Sequence, residues 1–131
     1  MTRFLTSYAT AALVFVALDA VWLYTMGPRL YRTGIGHLMR PDFDVAAAAA
    51  FYVLYLAGIV VLIVLPATGA WDALLRGALF GLVAYATYDL TNQATLRDWP
   101  WIVTVADLAW GTFVTAAASV ASYAALERFA R

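Results

Sequence analysis

Four long apolar stretches, divided by short clusters of arginine, proline, glycine and aspartate, organise this chain of 131 residues. They run from about Phe4 to Met26, Val45 to Leu65, Gly77 to Leu96 and Trp101 to Leu126. Each is close to the roughly 20 residues that carry an α-helix across a bilayer. The alternating ten-residue pattern of a membrane β-barrel is missing. The pattern therefore predicts an all-α integral membrane protein: one domain over residues 1–131, built as a four-helix bundle with four transmembrane helices.

The breaks between the stretches carry turn and cap signals. Gly27 to Asp44 holds Pro28, Gly34, Gly36, His37, Pro41 and five charged side chains with no periodicity, and reads as the longest loop. Asp44 stands where an N-cap would favour the second helix, and Pro66, Thr68 and Gly69 predict a tight turn before Trp71. An alternative for the first stretch is a cleaved signal peptide, since Arg3 precedes it. Asp19 late in the run, followed by Trp22 and Tyr24, favours a retained helix.

Against this apolar background the polar positions stand out. Gly77 to Tyr88 covers only about 18 Å of helix, so the third span must continue through Asp89, Thr91, Asn92 and Gln93 to cross roughly 30 Å. With an even number of spans, Asp19, Asp89 and Asp107 all fall in the same leaflet. A carboxylate at bilayer depth costs about 2.5–3.5 kcal/mol on insertion scales and needs a partner, a proton or a water-filled site. Two such carboxyls within a few ångströms resist ionising together. Gly77, Gly81, Tyr85, Tyr88, Asp89 and Asn92 share an arc of about 120° on the third helix. Gly77-x-x-x-Gly81 permits close helix approach, and the tyrosines and Asn92 are candidate donors to Asp89. The first and fourth spans repeat Asp-x-x-Trp, as Asp19/Trp22 and Asp107/Trp110. In both, indole and carboxylate are neighbours on one helical face. The candidate pocket is thus Asp19, Trp22, Tyr85, Tyr88, Asp89, Asn92, Asp107 and Trp110, with hydrogen-bonded helix glue as the competing reading of the same residues.

Composition narrows the chemistry. Hydrophobic residues make up 65%, charged residues 12%, and mean hydropathy is +0.80. The eight basic residues are all Arg, the net charge is zero, and no basic patch argues for nucleic acid. Arginines divide evenly between the two ends, so the positive-inside rule does not orient the chain. Cysteine is absent, which excludes disulfides, thiolate metal sites and thiol redox chemistry. His37, near Asp42 and Asp44, is the only histidine and makes a poor metal site alone. No nucleophile elbow, phosphate loop or HExxH motif is present. The reading leans away from an enzyme, with neither metal nor cofactor expected.

The run from Tyr85 through Tyr88, Asp89, Thr91 and Asn92 to Thr95, then Trp99-Pro100, Asp107-Leu-Ala-Trp110-Gly111, and Leu18-Asp19-Ala-Val-Trp22, resembles a family of small bacterial membrane proteins. That family is known as domain of unknown function 2177. The resemblance covers almost the whole chain. It implies four helices and singles out Tyr88, Asp89, Thr91, Asn92, Asp107, Trp110 and Gly111, without bringing an activity.

The sequence leads to an expected multi-pass protein of the bacterial inner membrane whose polar, aromatic-walled pocket handles a small amphipathic molecule or lipid. Expected partners are membrane lipids, such a ligand, and either a second copy or a larger membrane complex. The alternatives are an accessory subunit of such a complex, docking through the uncharged second helix, and a small dual-topology proton-coupled exporter.

Overall fold

Residues 1–130 are described by a computed structural model. Four long helices follow one another, and no strand occurs among the described residues. Three helical stretches, Thr2–Leu38, Val45–Val64 and Trp101–Phe129, are long and apolar enough to cross a membrane. The third helix, Ala70–Thr95, has 26 residues, enough for about 39 Å. Its apolar character is diluted by Asp72, Arg76, Asp89, Asn92 and Gln93.

The first helix corrects the expected long loop. Instead of ending near Met26, it continues through a π turn at Gly27–Tyr31, a further α turn at Arg32–Ile35 and a 3₁₀ turn at Gly36–Leu38. Proline lacks the N–H that an α-helix interior requires, and its ring crowds the carbonyl four residues back. Widening the turn relieves this. The Arg32 N–H reaches the Gly27 carbonyl, five residues back, and the helix survives Pro28. The loop proper shrinks to Met39–Asp44. There Asp44 caps the second helix as expected, its carboxylate accepting from the Ala47 N–H at 3.0 Å.

The apolar core lies toward the end of the bundle away from that loop. Ala11 and Phe15 of the first helix, Leu56, Ile59, Val60, Ile63 and Val64 of the second, and Val114, Ala118 and Leu126 of the fourth are buried together. The second helix is exposed along most of Val45 to Leu54 and engages this core through its later half, itself a π segment at Ile59–Val64.

The third helix fully buries no large apolar side chain, although Phe80 and Tyr85 pack half-buried against the core. Its buried residues are Ala73, Gly77, Gly81 and Asp89. A β-carbon on Gly77 would lie 2.6 Å from Ser119 Oγ and 3.0 Å from the Ala116 Cα. One on Gly81 would strike the Gly111 carbonyl oxygen and lie 2.7 Å from Thr115 Cβ, and one on Gly111 would strike the Tyr85 ring. The two helices therefore meet backbone to backbone along a seam of small residues, as Gly77-x-x-x-Gly81 predicts. Each four-residue step down the third helix is matched by a four-residue step up the fourth: Gly77 with Ser119, Gly81 with Thr115, Tyr85 with Gly111.

Candidate functional site

Continuing that seam by one step places Asp89 opposite Asp107. The two carboxyls are close neighbours across the seam. Both are carboxyl groups, so a hydrogen bond between them requires a proton on one. Asp89 is 0% exposed, and neither of its oxygens makes a hydrogen bond of ordinary length and angle. The nearby Trp99 indole N–H instead donates to Thr104 Oγ1 at 3.1 Å. The sequence-based donors to Asp89 are corrected accordingly: Tyr88 is 58% exposed and makes no bond to Asp89, and Asn92 lies beside the Tyr88 hydroxyl.

Asp19 and Asp107 are served across helices. The Trp110 indole N–H donates to Asp19 Oδ1 at 3.1 Å, and the Tyr52 hydroxyl donates to Asp19 Oδ2. The Trp22 indole N–H donates to the Tyr31 hydroxyl at 2.8 Å, and that hydroxyl donates to Asp107. The Asp-x-x-Trp motifs thus do not pair internally. Because the first and fourth helices run in opposite directions, Trp110 lies at the depth of Asp19 and Trp22 at the depth of Asp107. The two indoles stack with centroids 4.5 Å apart and planes 7° from parallel.

These groups border a cleft of about 390 Å³ between the helices, and seven of its eleven lining residues are aromatic. The walls are Asp19, Trp22, Leu23 and Tyr31 from the first helix, Phe51 and Tyr55 from the second, Ala84, Tyr85 and Tyr88 from the third, and Asp107 and Trp110 from the fourth. Of the eight sequence candidates, Asp19, Trp22, Tyr85, Tyr88, Asp107 and Trp110 line the cleft. Asp89 sits behind Asp107, and Asn92 stands outside.

Three hydroxyl-bearing site residues escape a reading from sequence. Tyr31 was hidden in the apparent loop. Tyr52 and Tyr55 belong to a second helix that shows no strongly polar side chain, yet Tyr52 serves Asp19 and the Tyr55 hydroxyl bonds Thr115 Oγ1 at 2.9 Å. The available signal was the three-residue spacing of these tyrosines, which puts both on one helical face.

At the same end, Gln93 fastens the turn between the third and fourth helices. It donates to the Trp99 carbonyl at 2.8 Å and accepts from Thr104 Oγ1 at 2.9 Å. His37 pairs with Asp98 at 3.7 Å across exposed surface, in place of Asp42 or Asp44, while Asp44 binds Arg40 at 3.2 Å. Among the described residues, no group of three or more metal-ligating side chains forms.

The sequence profile of a family described as predicted membrane protein (DUF2177) matches residues 4–124, all but the first three and last seven positions. No curated protein and no solved structure matches the chain.

Proposed function

We propose, from the premise that the chain belongs to the DUF2177 family of predicted membrane proteins, that it works as a membrane-embedded binding protein for a small amphipathic molecule or lipid, held in the cleft between its helices. The observation that carries this reading is the lining itself. Carboxyl groups are gathered between the helices beside a concave wall of aromatic rings, on a scale of about 390 Å³ that suits a small molecule. Helix glue alone needs each polar group satisfied by another helix. Asp19 and Asp107 meet that description through Trp110, Tyr52 and Tyr31, whereas Asp89 does not. A facing carboxyl pair is balanced by one shared proton or by a cation, and either suits a site that exchanges a ligand.

The multi-pass helices fit insertion in a bacterial inner membrane, with the cleft opening toward the end that holds the 39–44 loop. Acid or base chemistry on a bound headgroup has thin support, because no nucleophile stands beside the carboxyls.

Native mass spectrometry with lipid analysis, on wild type and on Asp89→Asn and Asp107→Asn, tests the reading. A defined molecule retained by the wild type and lost from both variants is expected. Wild type carrying no specific molecule, with both variants folded but missing a protein partner or second copy, would replace it with the accessory-subunit role.

A further inference from the structure

The cleft has a pronounced charge imbalance. Asp19 and Asp107 form its polar floor, and Asp89 lies fully buried behind Asp107 with both oxygens unpartnered. No basic residue lines it. Every described arginine is exposed, and Arg40, Arg76 and His37 face Asp44, Asp72 and Asp98 outside the cleft. An anionic ligand would meet carboxyls. It would also find the wall's two indole N–H groups already committed, Trp110 to Asp19 and Trp22 to Tyr31. A cation meets the opposite situation, since aromatic faces attract positive charge and do so more strongly away from water.

We infer that the cleft selects an organic ammonium carried on a hydrocarbon tail, with the ammonium between Asp19 and Asp107 against the aromatic wall and the tail leaving past the half-exposed Leu23. The inference rests on the cleft being the binding site proposed above, and it adds the ligand's chemical class. Two sources present this chemistry: the amine headgroup of a phospholipid and a free lipophilic amine. The depth of the carboxyls within the bundle explains the need for a tail, which replaces the lipid contacts the site displaces. The lack of basic side chains in the lining explains why the cation would be supplied by the ligand.

Tryptophan fluorescence of the full chain in dodecyl maltoside micelles, titrated with decyltrimethylammonium, decanol and decyl sulfate, reads the selectivity. The ammonium should bind about tenfold or more tightly than decanol, and the sulfate should not compete. Asp107→Asn should remove the preference. Leu23→Trp, which fills the mouth without touching a hydrogen bond, should abolish binding of every probe even if the aspartate variant does not fold. Equal binding of decanol and the ammonium, both blocked by Leu23→Trp, would overturn the charge inference and leave the cleft standing. Binding of no probe, or binding indifferent to Leu23→Trp, would overturn the cleft as a binding site as well. With the ammonium preference established, native mass spectrometry from nanodiscs separates the sources. Retention of phosphatidylethanolamine over phosphatidylglycerol assigns the headgroup, and equal retention assigns the free amine.

Discussion

Replacing Gly81 by alanine adds one methyl group at the tightest point between the third and fourth helices. The new carbon would lie 2.6 Å from Thr115 Oγ1 and 2.7 Å from Thr115 Cβ, against about 3.4 Å for ordinary contact, and it would strike the Gly111 carbonyl oxygen. Backbone cannot rotate aside as a side chain can, so the helices must part by roughly 0.7 Å or more, enough to forfeit a quarter to a half of the dispersion energy along the seam. Overpacking of this kind costs about 1–3 kcal/mol. Displacing Thr115 also strains its bond to Tyr55, worth about 0.6 kcal/mol on average inside membranes. Better helix propensity returns about 1 kcal/mol, leaving a net loss of about 1–2 kcal/mol. Gly77→Ala should lose less, because the Ser119 hydroxyl is unpartnered and can turn away and the fixed obstacles, Ser119 Cβ at 2.8 Å and the Ala116 Cα at 3.0 Å, include no backbone atom as close as the Gly111 carbonyl is to Gly81. Gly27→Ala is the opposing control: nothing lies within 4 Å and its backbone is helical, so it should be neutral or stabilised by up to about 1 kcal/mol. Reversible unfolding in mixed micelles titrated with sodium dodecyl sulfate measures all three. A Gly81→Ala midpoint equal to wild type would refute the backbone-contact account of the seam.

Tyr31→Phe removes the acceptor of the Trp22 indole and the donor to Asp107 together, so it should lower stability by about 1–2 kcal/mol and shift Trp22 emission. Tyr52→Phe should cost less, because Asp19 keeps its Trp110 donor; the same unfolding titration orders the pair, and a reversed order would contradict the pairing described. Outside the spans, the Arg76 guanidinium and the Thr68 backbone N–H hold the Asp72 carboxyl below the usual carboxylate range. A lowered value in the folded state means that the contribution is present above that range and lost as the pH falls below it. Wild type should therefore exceed Asp72→Asn in stability near neutral pH, and the two should converge in acid; a difference independent of pH would rule out the charged pair as its source.

Much of the architecture is legible because apolar length and turn residues act locally. Asp44 caps, Gly77 and Gly81 pack, and the breaks at residues 66–69 and 97–100 fall where the pattern puts them. Pro28 misleads for an equally physical reason. In an unbroken α-helix Tyr31, nine residues after Trp22, would sit about 180° around the axis from it. The π turn inserts roughly one residue and brings Tyr31 back by about 100°, toward the face of Trp22 and within reach of Asp107. A residue rule that treats proline as a helix end cannot see this. The continued segment is held by tertiary packing, with Gly34 tucked under Pro100 and Val103 at the start of the fourth helix.

The position of Asp89 follows from register. Gly77, Gly81, Tyr85 and Asp89 are spaced by four, and so are Asp107, Gly111, Thr115 and Ser119 on the antiparallel neighbour. Once the glycines fix which residues meet, the acidic pair is fixed with them, at the end of the seam where small residues give way to the aromatic cleft. Each series is visible in the sequence, but their alignment is a relation between helices and is set only by packing. Slipping one helix by a single residue would rotate Asp89 about 100° away from Asp107 and drive Cβ-bearing residues into the glycine positions. The same steric constraint that makes the third and fourth helices pack therefore keeps two carboxyl groups together at a depth where neither has a basic partner. An interior that needed only polar adhesion would be served by one carboxyl and the donors already present. On the cation reading proposed above, the second carboxyl is capacity for a positive charge that the chain itself does not supply.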